Sequence, residues 1–221
     1  MIYRLFAHPF SSYSWKAMIA FHEKDIPFEL AMLEDPGVMD ELRSLWPVGQ
    51  FPVLLDSSTG GDKTIIEATT IIEYLDLRHP EPARLIPSDP EAALEARFMD
   101  RVFDNHVMNM MQRIVAEYLP PNGTPNPATI ESVRGKLEVI YAWLDQRLTG
   151  QDWATPDGFS LADCAAAPSL FYADWVHRIS ETMPALRAYR ARLNARPSVA
   201  RCIEEARPYR AYFPLGAPDR D

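Results

Sequence analysis

The amino-acid sequence predicts an α/β domain with a mixed four-stranded sheet, followed by an all-helical domain. Three observations carry this reading. Short β-type runs alternate with helically spaced apolar residues only in the first 80 positions. Pro80, Pro82, Pro87 and Pro90 then crowd into eleven positions, and beyond them strand signals stop. The expected layout is an α/β domain over 1–80, a linker over 81–90 and a helical domain with a C-terminal tail over 91–221.

Ile2–Phe6 is an apolar-rich run ending in His8-Pro9, a first strand. Trp15, Met18, Ile19 and His22 recur at helical spacing from Ser14 until Lys24-Asp25 breaks the pattern. Pro27 introduces Phe28–Leu33 as a second strand, and Asp35-Pro36-Gly37 opens a more polar helical stretch to Leu45. Pro52–Leu55 reads as a third strand, Ser57–Asp62 as hairpin-turn chemistry and Lys63–Ile66 as a fourth strand. Thr70, Ile71, Tyr74, Leu75 and Arg78 share one helix face, stopped by His79-Pro80. The order is β-α-β-α-β-β-α.

In the second half, Leu94, Phe98 and Val102 begin a long helix extending to Tyr118. The loop at Pro120–Pro127 separates it from a helix over Thr129–Leu148. Ser160-Leu161-Ala162-Asp163 is a capping box that opens a third helix. Pro184–Ala195 and Pro197–Ala206 each start at a proline suited to a helix's first turn.

Composition narrows the function classes. The formal net charge is −9 and no Lys/Arg run forms a phosphate-binding stripe, which argues against nucleic acid. No apolar stretch approaches the ~20 residues of a membrane span, and the start does not read as a signal peptide. Cys164 and Cys202 lie in apolar helical patterns and read as buried, reduced thiols of a cytoplasmic protein. No His, Cys or carboxylate falls at metal-ligand spacing with His106, so no metal is expected.

Two local patterns point to chemistry. Gln50-Phe51-Pro52-Val53 lies at the mouth of a strand, where proline cannot donate to the ladder. A cis Phe51-Pro52 bond would leave the Phe51 main chain free to pair with another peptide. Glu67-Ala68-Thr69 forms a strand-to-helix junction whose N–H groups and dipole favour a carboxylate, while Glu67 can accept from an ammonium. Such a site suits the amino-acid end of a γ-glutamyl group; plain helix capping by Glu67 and Thr69 is the alternative.

Gly49-Gln50-Phe51-Pro52-Val53-Leu54, then Glu67 to Leu75, then Phe159-Ser160-Leu161-Ala162-Asp163 resemble three landmarks of cytosolic glutathione transferases, across about residues 1–208. The ending Arg207–Gly216 is closest in character to bacterial members. The resemblance implies a thioredoxin-like first domain and glutathione as co-substrate. Phe51 would hold the cysteinyl backbone with Pro52 cis, the peptide lying as an extra strand along 50–53. Gln50 would meet the glycyl carboxylate, and Glu67 and Ala68 the γ-glutamyl end. Two departures stand out. Ala68 occupies a position usually held by Ser, leaving Thr69 to supply a hydroxyl, and Trp46 stands where the family often has Asn.

A free thiol of pKa near ~8.5 is only about 3% thiolate at pH 7; lowering it by ~2 units needs about 2.7 kcal/mol. A hydroxyl donor at a helix N-terminus supplies stabilisation of that kind. Ser11-Ser12-Tyr13-Ser14-Trp15-Lys16 is similar to the zeta-class signature, with Tyr13 where that class has Cys. By position, Ser11 is the donor; alignment on the helix of other serine-type classes makes it Ser14, and Ser12, Tyr13 or no side chain remain open. The resemblance also places Asn105–Arg113 at the border of a hydrophobic electrophile's pocket, with His106, Met108 and Met111 as lining; core packing by the methionines is the alternative. The aromatic tail Tyr209–Phe213 either folds over the cleft or packs on the helical domain. The expected activity is thiolate attack on an electrophile by a homodimer; a glutathione-dependent isomerase and a non-catalytic interaction protein are the alternatives.

Overall fold

The computed structural model describes residues 3–58, 60–82, 84–119, 121 and 124–221. Ile2, Thr59 of the expected hairpin turn, Ala83 of the linker, and Pro120, Asn122 and Gly123 of the expected loop lie outside them. The first half runs β1 (Tyr3–Ala7), α1 (Ser12–Glu23), β2 (Glu29–Met32), α2 (Val38–Leu45), β3 (Val53–Asp56), β4 (Lys63–Ile66) and α3 (Ala68–Arg78). The sheet order is β2-β1-β3-β4. β1 pairs parallel with β2 and antiparallel with β3, and β4 returns antiparallel on β3. The expected mixed four-stranded sheet is present.

Period-two alternation sorts the strands onto two cores. Leu5, Ala7, Leu54 and Ile65 join the large core, together with Trp15, Met18 and Ile19 of α1 and Ile71, Ile72 and Leu75 of α3. Phe6, Ala31 and Val53 turn to the other face and meet Val38 and Leu42 of α2. The strand and helix limits differ from the sequence reading at the ends. α1 starts at Ser12 rather than Ser14, because Ser11 caps it. α2 starts only after Gly37, whose φ of +83° suits glycine. Pro52 precedes β3 rather than opening it.

The second half is helical: α4 (Pro90–Val102), a π-helical segment (Phe103–Met108), α5 (Asn109–Glu117), α6 (Pro127–Arg147), α7 (Leu161–Val176), α8 (Pro184–Ala195) and α9 (Pro197–Ala206). A 3-10 turn over Arg207–Tyr212 follows. The long helix expected to Tyr118 is thus interrupted by a π segment. Helical periodicity in sequence does not distinguish the two, since both keep one apolar side inward. α7 is buried along nearly its whole length and packs against α1, α4 and the π segment. Its capping box forms as expected: Ser160 Oγ accepts the Ala162 N–H at 3.3 Å, and Asp163 Oδ2 accepts the Ser160 N–H at 2.9 Å. No helix among the described residues is long and apolar enough to cross a membrane.

Candidate functional site

A cleft of about 610 Å³ lies where the β1–α1 turn, the approach to β3 and the start of α3 face the long helix of the second half. Ser11, Tyr13, Trp46, Gln50, Phe51, Pro52, Glu67 and Ala68 line one side; Arg101, Asp104, Asn105, Asn109 and Gln112 line the other.

The β1–α1 turn is built by its own polar groups. The His8 carbonyl accepts the Ser11 N–H at 2.9 Å, and His8 Nδ1 accepts the Phe10 N–H at 3.0 Å. Trp15, fully buried against Phe171 and Tyr172, donates its indole N–H to the Pro9 carbonyl. This anchorage separates the three candidate serines. Ser14 is fully buried and its Oγ accepts the His8 N–H at 3.2 Å. Ser12 is buried and its Oγ accepts from Gln112 Nε2 at 3.1 Å. Neither lines the cleft. Ser11 does, and as N-cap its Oγ accepts the Ser14 N–H at 3.3 Å. A hydroxyl that accepts through a lone pair keeps its own proton for another acceptor.

Tyr13 reaches across the cleft and donates its hydroxyl to Asn109 Oδ1 at 2.8 Å. Burial, with the Asp104 charge adding, pushes its phenol up to about 12, so it stays neutral near pH 7.

The Phe51-Pro52 bond is cis. Strand pairing starts at Val53, opposite Phe6 and Ile66, so the Phe51 main chain lies outside the ladder. Val53 itself sends a fully buried side chain into the smaller core, so any part it plays at the cleft is through its backbone.

Glu67 sits at φ +68°, a left-handed conformation costing a non-glycine residue about 1–3 kcal/mol. Its carbonyl accepts the Ile71 N–H at 2.9 Å, but its side chain makes no capping bond to α3 and is exposed at the cleft. Capping by the Glu67 side chain is therefore not what the structure shows. Thr69 does not take the place of the missing hydroxyl after Glu67. Its Oγ1 accepts from Lys16 Nζ at 2.7 Å and from Arg101 Nη2 at 2.6 Å, and donates to Asp100 Oδ2 at 3.2 Å.

Those bonds belong to a charge cluster beneath the cleft that sequence reading missed. Lys16 is fully buried and pairs with Asp100 at 2.5 Å and Asp104 at 2.7 Å. Arg101 contacts the same two carboxylates through Nε and Nη2, with half its side chain exposed. Burial pulls the Arg101 guanidinium down, but hydrogen bonds and charge from Asp100 and Asp104 outweigh it and leave it above its ordinary value.

The expected second-substrate residues are not in this cleft. Met108 and Met111 are buried in the large core, the alternative their apolar character allowed. His106 is exposed and lines a different groove of about 840 Å³ between α4 and α6, with Phe98, Val102, Met110, Val139 and Trp143. Two four-residue stripes run along the same helix. Arg101, Asn105 and Asn109 face the cleft; Phe98, Val102, His106 and Met110 face the groove. At 3.6 residues per turn a four-residue stripe drifts about 40° per step; the wider π turn offsets that drift. The polar stripe is visible in sequence once this spacing is sought.

The aromatic tail bridges the halves without lining the cleft. Tyr209 packs edge-on against His8 at 4.6 Å, Tyr212 donates to Glu34 at 2.8 Å, and Phe213 packs on Trp175 at 5.1 Å.

Comparison with known proteins identifies the family of this fold. The family model of the glutathione S-transferase N-terminal domain matches residues 5–83, and that of the C-terminal domain matches residues 106–197. FtsZ-localized protein A of Caulobacter vibrioides is 28% identical over 195 residues, covering 86% of this chain and 85% of that protein. Protein LigF of Sphingobium is 27% identical, covering 94% and 95%. A glutathione S-transferase from Methylobacterium radiotolerans, solved in complex with glutathione sulfonate, superposes with a TM-score of 0.75 at 28% identity, covering 91% of this chain and 94% of that one. With both domain models matched in order on a mixed sheet and a helical second half, the chain belongs to the glutathione S-transferase family.

Proposed function

We propose that the protein binds glutathione in the cleft and transfers it to an electrophile, with Ser11 as the residue that stabilises the thiolate. The observation that carries this reading is that Ser11 alone of the three serines lines the cleft, beside Gln50–Pro52 and Glu67–Ala68, at the N-terminus of α1. The peptide main chain pairs with Phe51 outside the β3 ladder, Gln50 meets the glycyl carboxylate, and the amino-acid head lies at Glu67 and Ala68. The Ser11 hydroxyl donates to the sulfur, and the positive end of α1 adds to its stabilisation. The thiolate then attacks the electrophilic carbon, forming a C–S bond while the leaving group, or the displaced π-electron pair, takes the charge. The wall that an electrophile meets is mixed: the rings of Tyr13 and Trp46 with the amides of Asn105, Asn109 and Gln112.

Ser11→Ala should lower turnover of an electrophilic aromatic substrate about 10- to 100-fold while changing glutathione affinity far less. Ser14→Ala and Tyr13→Phe should retain most turnover. Full turnover in the Ser11 variant with loss in Ser14→Ala transfers the role to Ser14.

A second reading, a glutathione transferase fold used for protein interaction, is favoured by Ala68 and by relatives such as FtsZ-localized protein A and the stringent starvation protein A homolog of Coxiella burnetii, 29% identical over 77% of this chain. Retention on immobilised glutathione together with thiol-addition activity separates the readings. Turnover without glutathione consumption would instead mark an isomerase. We also propose a homodimer through the exposed apolar face of α4 and α6, where Phe98 is 46% and Val139 73% exposed. Sedimentation of Val139→Glu as a monomer, against a dimeric parent, is the expected outcome.

A further inference from the structure

A γ-glutamyl head carries a carboxylate as well as an ammonium, and the start of α3 offers the former main-chain N–H groups but no free side-chain donor. Position 68 is alanine, leaving only its main-chain N–H. The hydroxyl of Thr69 is taken by Lys16, Arg101 and Asp100. Of the two acidic groups that line this end of the cleft, Asp104 is paired with Lys16 and Arg101, and Glu67 repels an anion. A cationic side chain beside those N–H groups would complete its binding.

We propose that Arg101 binds the α-carboxylate of the γ-glutamyl group, and that the cluster of Lys16, Asp100 and Asp104 holds its guanidinium in place; this rests on glutathione being the ligand of the cleft. Arg101 lines the cleft with Glu67 and Ala68 although it comes from α4, in the other half of the chain. Its Nε and Nη2 are occupied by Asp100, Asp104 and Thr69, which fixes the plane of the guanidinium. Nη1 has no hydrogen-bond partner among the described residues, and half the side chain is exposed. A guanidinium anchored along one edge presents its Nη1 N–H groups to a carboxylate in a fixed direction, which a freely rotating ammonium does not do.

The charges fit this division of labour. Lys16 and Arg101 balance Asp100 and Asp104, so Glu67 is the surplus charge and serves the ammonium. Lys16 does not itself line the cleft; it is a positioning residue, keeping two buried carboxylates aimed at Arg101.

Isothermal titration of the full chain with three peptides tests the assignment: glutathione, 4-aminobutyryl-cysteinyl-glycine (which lacks the α-carboxylate) and glutaryl-cysteinyl-glycine (which lacks the amine). The wild type should bind the decarboxylated peptide about ten- to a hundredfold more weakly than glutathione. Arg101→Gln should bind glutathione more weakly by a similar factor and no longer distinguish it from the decarboxylated peptide, while still discriminating against the peptide without the amine. If Arg101→Gln does not fold, Arg101→Lys decides: it keeps the charge beside Asp100 and Asp104 but should lose several-fold of the discrimination. Undiminished discrimination in the folded variant overturns the role of Arg101 and leaves the transferase reading intact. No heat from the wild type with millimolar glutathione overturns both.

Discussion

Two buried polar clusters, one around Asp163 at the start of α7 and one around Lys16 where α1 meets α4, are built to different ends. Around Asp163 every partner is internal. Its carboxylate accepts from the Ala154 N–H at 2.9 Å, the Ser160 N–H at 2.9 Å, the Ser160 hydroxyl at 3.2 Å and the Tyr189 hydroxyl at 2.7 Å. The cluster at Lys16 is as deeply buried at its base, yet it ends in a half-exposed arginine at the cleft. A closed network spends all its hydrogen-bonding capacity on the fold. An open one keeps a charged group in hand for a ligand, at some cost in conformational freedom.

The largest expected effects break one cluster at a time. Asp163→Ala leaves four buried donors without their acceptor and should cost about 3–5 kcal/mol by urea denaturation, with glutathione affinity of the folded fraction unchanged. Lys16→Met should cost a comparable ~3–5 kcal/mol, because Asp100 and Asp104 lose their buried counter-charge, and should in addition weaken glutathione binding. If Lys16→Met binds glutathione as the parent does, the contrast between the clusters fails.

A smaller effect sharpens the boundary. Ser11 caps α1 and faces the cleft, so Ser11→Ala should lose about 1 kcal/mol of stability besides its loss of turnover. Ser14→Ala should disturb stability through the His8 turn and leave turnover largely intact.

The smallest effect belongs to neither cluster. Burial, with the nearby Arg201 charge, lowers the His22 pKa below its ordinary 6.5, and its buried Nε2 has no hydrogen-bond partner among the described residues. A depressed folded-state pKa gives stability that is present above pH ~6.5 and lost as pH falls toward the folded value. The melting temperature of His22→Phe should therefore drop less between pH 7 and pH 5 than that of the parent. An equal drop assigns the acid sensitivity elsewhere, His8 being the next candidate, since burial lowers it too.

Much of the site was readable in sequence where it depends on neighbours along the chain. The cis-proline tetrad, the Glu67-Ala68-Thr69 junction and the capping box at Ser160 are local, and each occupies the place its residues suggest. Sequence left the second wall open between two readings: Met108 and Met111 carry the apolar character of an electrophile pocket, but apolarity equally sends a side chain to the core, where both lie. The charge cluster had no local signature: Lys16, Thr69 and Asp100 are far apart in sequence and meet only when α1, α3 and α4 pack.

Sequence alone determined the element order, the mixed sheet, the proline-marked passage to a helical half and the family these motifs resemble, since periodicity, turn chemistry and capping act over a few residues. Tertiary structure decided which of three neighbouring serines faces the cleft, which stripe of the long helix forms its second wall, and which cation shares the cleft with Glu67. Those outcomes depend on how one helix is rotated against another. Rotation is set by packing around Trp15 and by the buried ion pairs of Lys16, across separations that no short-range pattern records.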